Sequence, residues 1–127
     1  MILESALLCL SLNIWHEARG EQVPGQYAVA QVTMNRAAGD QNNVCRVVYA
    51  PKQFSWTHQK VRHKSPVKVD PAAWERSKII ARVVLERRMQ FDFSKGADHY
   101  HAVYVAPKWS KRMKRTTVIG NHRFYQA

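Results

Sequence analysis

The chain has 127 residues, 46% of them hydrophobic and 23% charged, the balance of one globular domain with one core over residues 1–127. No apolar run is long enough to span a bilayer, and the size permits folding without a metal or a disulfide. Twenty Lys and Arg against nine Asp and Glu leave a net charge of +11, a field that favours a polyanionic partner or surface.

Ile2 to Glu17 reads as the first helix, with Ala6, Leu7, Leu10 and Ile14 on one face. This start lacks the basic n-region and cleavage site of a signal peptide, so it is taken as part of the fold. Arg19-Gly20 breaks the helix, and Pro24 opens a second one through Arg36, closed by Gly39-Asp40. Its apolar stripe is Tyr27, Ala30, Gln31 and Met34, with Ala28 and Val32 beside it. Asn43 to Tyr49 reads as a short helix capped by Asn42 or Asn43, and Pro51 ends it. Gln53 to Thr57 alternates as a short strand or extended loop, and Lys60 to Val69 is a basic exposed loop. Asp70-Pro71 starts the longest helix, from Ala72 to Met89, with Arg82, Glu86, Arg87 and Arg88 solvated. The period then changes from 3.6 to 2. His99 to Val105 reads as a strand, and Pro107 to Ser110 as a turn or one helical turn. Thr116 to Gly120 and His122 to Tyr125 read as a strand interrupted at Gly120-Asn121. The expected class is α+β: a mainly helical N-terminal part and a small antiparallel sheet in the C-terminal part.

Cys9 and Cys45 are the only cysteines. Two thiols make neither a metal-site spacing nor a disulfide framework, and apolar surroundings predict buried free thiols. A bridge requires the first helix to pack on the Cys45 segment.

The run Asn13-Ile14-Trp15-His16-Glu17-Ala18-Arg19-Gly20-Glu21 carries a carboxylate into the last turn of the first helix. The negative end of the helix dipole raises the pKa of a carboxyl there, and so do apolar neighbours, for which Trp15, Tyr27 and Trp56 are candidates. A general acid in glycoside cleavage needs both effects. Glu21 is the candidate second carboxylate; it either faces the same cleft or bonds backbone amides near Pro24. The histidines offer a competing chemistry, with His99 and His101 on one strand face and His122 or His58 as a third zinc ligand. The run His16-Glu17 lacks the second His of H-E-x-x-H, and hydrogen bonding is the stronger reading for His99 and His101, so no metal or cofactor is expected. A nucleic-acid reading has charge but no motif behind it.

Trp15-His16-Glu17-Ala18-Arg19-Gly20-Glu21, then Gly25, Ala28-Val29-Ala30 and Asn35-Arg36, resemble the signature of the SleB-type cell wall hydrolases, a family that includes spore-cortex-lytic enzymes and phage endolysins. The resemblance continues through Val44-Cys45-Arg46-Val47-Val48-Tyr49, Gln53-Phe54-Ser55-Trp56, His99-Tyr100-His101-Ala102, Pro107-x-Trp109 and Thr117-x-Ile119-Gly120-Asn121-His122-x-Phe124-Tyr125. The family's Tyr two residues before its catalytic Glu is Trp15 here.

The resemblance implies a lysozyme-like fold and cleavage of peptidoglycan glycan strands between N-acetylmuramic acid and N-acetylglucosamine. It places the catalytic Glu at Glu17. It lines a saccharide groove with Trp15, Gln53, Phe54, Ser55, Trp56, Tyr100, His101, Trp109 and Tyr125. If Glu21 does not face Glu17, one carboxylate has to suffice, which suits a lytic transglycosylase better than a muramidase. The basic run Lys108, Lys111, Arg112, Lys114 and Arg115 is then a contact for the anionic envelope. The expected setting is a monomeric phage-type endolysin, made without a signal peptide and released by a holin. The alternatives are a zinc-dependent peptidoglycan amidase and a non-enzymatic polyanion-binding module.

Overall fold

The computed structural model describes residues 2–51, 53–59, 64–89 and 91–127. Residues 60–63, part of the expected Lys60–Val69 loop, lie outside the described residues. Among the described residues, α1 (Ile2–Ala18), α2 (Val23–Arg36), α3 (Val44–Val48) and α4 (Pro71–Leu85) precede β1 (His99–Ala102), β2 (Lys114–Ile119) and β3 (His122–Gln126). The expected class, helices followed by a small antiparallel sheet, is the one observed.

The boundaries follow local chemistry. Pro24 sits in the first turn of α2, where its missing N–H is no loss. Asp70 caps α4 by accepting from the Ala73 amide at 3.1 Å, and Pro71 follows it. The α4 helix stops at Leu85, four residues short of the expected Met89, because Arg87 takes a positive φ of 54°. With 15 residues α4 is shorter than α1, which has 17 and is the longest helix described. Ser55–His58 forms a 3-10 turn and not a strand, with only Phe54 before it extended. The β1 strand ends at Ala102 instead of Val105 because the Val105 amide turns back to the Ala102 carbonyl at 3.1 Å.

Helix α2 is buried on nearly every side from Gly25 to Met34, so it is the central helix and not a half-exposed one with a single stripe. Gln31, inside that region, satisfies its amide by donating to the Phe91 carbonyl at 2.7 Å and accepting from the Phe93 amide at 2.8 Å. Asn35 similarly pins the approach to the sheet by donating to the Ala97 carbonyl at 2.8 Å.

The thiols are not free. Cys9 on α1 and Cys45 on α3 form a disulfide with Cα atoms 5.4 Å apart. The expectation of free thiols fails because α1 packs directly on α3, which brings two residues 36 apart in sequence within bridging reach.

The sheet has the order β1-β3-β2, all antiparallel, with Tyr100 opposite Phe124 and Ala102 opposite His122. A bulge lies between Arg115 and Thr117. The larger core cluster joins α1, α3 and α4 through Leu10, Ile14, Val48, Trp74 and Leu85. A smaller one places Ala28, Val29 and Val32 of α2 against Phe124 of the sheet. Tyr100 packs against both clusters, at the seam where the end of α1 meets the sheet.

Candidate active site

Glu17 lies in the last turn of α1, one residue before the helix ends. Tyr100 donates its hydroxyl to Glu17 Oε1 at 2.9 Å, across 83 residues of sequence. The Tyr100 ring is clamped by Phe54 at 6.1 Å, His122 at 5.2 Å and Phe124 at 5.7 Å between centroids. Burial pushes the Glu17 carboxyl above its ordinary range, and the Tyr100 hydrogen bond pulls it partly back. Burial, reinforced by the Glu17 charge, holds the Tyr100 phenol well above its ordinary value, so it remains a donor.

A hollow of about 250 Å³ opens over Glu17, walled by His16, Gln53, Phe54, Tyr100, His101 and His122, with Ala102 and Tyr104 at its edge. Sequence reasoning reached Gln53, Phe54, Tyr100 and His101. It did not place in this groove Tyr104, which is 83% exposed two residues beyond β1, or His16, or His122, which it had weighed only as a zinc ligand. Their motifs are visible in the chain, but only the packing turns these side chains toward Glu17.

The remaining expected groove residues sit elsewhere. Trp56 is buried; its indole donates to Asn13 Oδ1 at 2.9 Å and its ring stacks beneath His16 at 4.5 Å. It supports the wall without forming it. Trp15 is also buried and lines a neighbouring hollow, with the Arg19 guanidinium 3.7 Å from its ring centroid. Ser55 is exposed and does not line the Glu17 hollow. Tyr27 packs on Phe93 at 6.1 Å. Trp109 and Tyr125 join His99 and His101 in a cluster: Tyr125 stacks on His101 at 5.2 Å and Trp109 edges onto both. There they brace the basic 3-10 turn Lys108–Arg112 against the strands.

Glu21 does bond a backbone amide, but that of Asn121 in the β2–β3 turn and not one near Pro24, and it also lines a hollow next to Glu17. Its Oε1 accepts from the Asn121 amide at 2.9 Å and its Oε2 from the Asn121 side chain at 3.1 Å. Its own backbone is held by Glu21 N to Ala18 O at 2.9 Å and by the buried Gln26 side chain at 2.9 Å. Glu21 thus ties the end of α1 to the β2–β3 turn. Gly120 in that turn has φ 53°, which favours glycine, and a Cβ there would lie 2.5 Å from Glu21 Oε1 and push the carboxylate off the turn. His122 stands behind this tie, its Nδ1 3.8 Å from Glu21 Oε1, and burial lowers its pKa.

His99 and His101 are engaged in hydrogen bonds. The His101 ring meets the Ala102 carbonyl through Nδ1 at 2.7 Å and the Tyr125 hydroxyl through Nε2 at 2.9 Å. With Nδ1 donating to the carbonyl, Nε2 accepts from Tyr125. His99 Nδ1 pairs with Asp98 at 2.9 Å. Among the described residues no three His, Cys, Asp or Glu side chains are grouped to hold a metal ion.

A family model described as Cell Wall Hydrolase matches residues 20–125. The chain belongs to the cell wall hydrolase family. The matched segment starts just after Glu17 and contains Glu21, Gln53, Phe54, Tyr100, His101 and His122. The catalytic domain of the germination-specific lytic transglycosylase SleB from Bacillus anthracis has a similar structure, with a TM-score of 0.71 over 97% of this chain and 95% of that one. Sequence identity to it is 23%, so the likeness is one of fold. No curated protein matches the chain. Family membership makes this a wall-lytic enzyme acting on peptidoglycan.

Proposed function

We propose that this enzyme cleaves the bond between N-acetylmuramic acid and N-acetylglucosamine by lytic transglycosylation, with Glu17 as the sole acid and base. The observation that carries this reading is one buried carboxyl of raised pKa in the hollow, while Glu21 is committed to the β2–β3 turn. A raised pKa keeps Glu17 protonated at the pH where it must donate. Glu17 gives its proton to the glycosidic oxygen as that bond to C1 breaks. The C6 hydroxyl of the muramic sugar attacks C1, and the Glu17 carboxylate takes the hydroxyl proton. The product is a 1,6-anhydro sugar, and Glu17 is again protonated. A hydrolase would need a second positioned base or nucleophile at roughly 5–10 Å from the first.

Mass spectrometry of muropeptides released from purified peptidoglycan tests the route. Anhydro products support it; reducing ends, heavier by one water, identify a muramidase instead. Full lysis by Glu17→Gln would remove Glu17 from the chemistry altogether.

The setting we propose is that of a phage-type endolysin that reaches the wall after release from the cytoplasm. Two observations support it. The net charge of +11 suits an anionic envelope, and the exposed Lys108, Lys111, Arg112, Lys114 and Arg115 concentrate that charge beside the sheet. The Cys9–Cys45 disulfide suits an oxidising compartment.

A further inference from the structure

The hollow over Glu17 does not end at His16. His16 and Glu17 also wall a second hollow of about 310 Å³ with Arg19, Gly20 and Glu21. His16 and Arg19 in turn wall a third, of about 420 Å³, with Trp15, Lys64, Ser65 and Val69. Each hollow shares wall residues with the next, His16 and Glu17 and then His16 and Arg19, so the three adjoin along the end of α1 as a trough, with the proposed reacting centre at one side and a cationic chamber at the other.

The chamber has a consistent chemistry. Arg19 and Lys64 bring two positive charges, and among the described residues no carboxylate lines it. Arg19 is fixed at the end of α1: its guanidinium lies 3.7 Å from the Trp15 ring centroid and Nη1 donates to the Trp15 carbonyl at 3.2 Å. No ion pair engages it among the described residues. A guanidinium has five N–H donors, so a stacked and oriented one with most donors unspent is prepared for an oxyanion. Trp15, Pro66 and Val69 give the same chamber an apolar wall.

Resting on the glycan-cleaving reading above, we propose that this chamber binds the stem peptide carried by the muramic sugar, with Arg19 and Lys64 on a peptide carboxylate. The stem peptide leaves the glycan through the lactyl ether of the muramic residue, a few bonds from the reacting C1. A glycan seated over Glu17 therefore sends this peptide sideways from the scissile bond, and the trough supplies a path from Glu17 through His16 to Arg19. The methyl groups of the lactyl and alanyl units match the apolar wall. The chamber selects strands that still carry peptides over strands already stripped by an amidase.

The test compares kcat/KM on intact peptidoglycan and on the same glycan stripped of its stem peptides, for the wild type, Arg19→Gln and Arg19→Lys. The expected result is a preference for intact strands that falls about tenfold in Arg19→Gln, through KM, as for loss of one charge-assisted contact. Arg19→Lys restores part of it. If Arg19 only caps α1, both substrates suffer alike and the ratio stays at its wild-type value, which overturns the proposal. An unchanged ratio with unchanged rates overturns it too. A wild-type protein that releases no glycan fragments from either substrate overturns the cleavage reading, and the chamber's role with it.

Discussion

At the scale of single residues, the site depends on one hydrogen bond and one burial. Tyr100 donates to the ionised form of Glu17 more strongly than to the neutral form, so the bond lowers a pKa that burial has raised. Tyr100→Phe removes only the donor. The alkaline limb of the pH–rate profile is expected to move upward, and kcat at neutral pH to fall on the order of tenfold as the acid loses its orientation. A limb that stays put or moves down would show that the hydroxyl does not act on Glu17. Burial of Glu17 also has a stability consequence. A carboxyl whose folded pKa is raised favours the fold at low pH and loses that contribution as pH rises through its folded pKa. Glu17→Gln should therefore unfold at a higher temperature than the wild type at neutral pH, with a gain on the order of 1 kcal/mol. The gap should close toward pH 4. A gap independent of pH would contradict the assignment of the burial penalty to this carboxyl.

At the scale of elements, two ties hold the trough in shape. The first joins α1 to the β2–β3 turn through Glu21 and Asn121. Glu21→Ala leaves the Asn121 amide without its carboxylate, and thermal unfolding should register a loss of about 1.5–3 kcal/mol. Glu21→Gln keeps an acceptor for that amide, and its activity on peptidoglycan should stay within about tenfold of wild type, while Glu17→Gln falls by about a thousandfold or more. Comparable losses in both Gln variants would make Glu21 a second catalytic carboxylate. The second tie is the disulfide between α1 and α3, which closes 36 residues of chain. In the chain-entropy account a loop of that length is worth about 4 kcal/mol. Calorimetry of Cys45→Ser, or of the wild type under reductant, should show a loss of that order. A melting temperature indifferent to reductant would mean that the two thiols are not joined in solution.

These two ties also show how far elements can be read from sequence. Pro24, Asp70-Pro71 and the change of period before His99 are local signals, and α2, α4 and the sheet start where they predict. The end of α4, the length of β1 and the 3-10 turn at Ser55–His58 depend on bonds to distant or non-periodic backbone, so the pattern misjudges them. The disulfide belongs to the same class, because thiol pairing is a fact of helix packing and not of spacing.

At the scale of the whole molecule, the charge of +11 acts through the solvent. Lysis of envelope fragments rich in anionic polymer should slow several-fold between low salt and about 0.5 M, where the Debye length falls to a few ångströms. Cleavage of short soluble glycans should change much less. Equal salt dependence on both substrates would place the charge in the reacting hollow and not on the envelope-facing surface.

The sequence by itself determined the fold class, the position of Glu17 at a helix end, and the family. Each rests on local pattern: apolar period, caps, and a contiguous motif around the carboxylate. The tertiary structure decided the rest. It set Tyr100 against Glu17 across 83 residues, turned Glu21 to the β2–β3 turn, put Trp15 in the wall of a neighbouring hollow, and sent Trp56 beneath His16. The physical reason is that a motif fixes which residues are near in the chain. Which way each side chain faces is settled by burial and hydrogen-bond satisfaction between elements that meet only on folding.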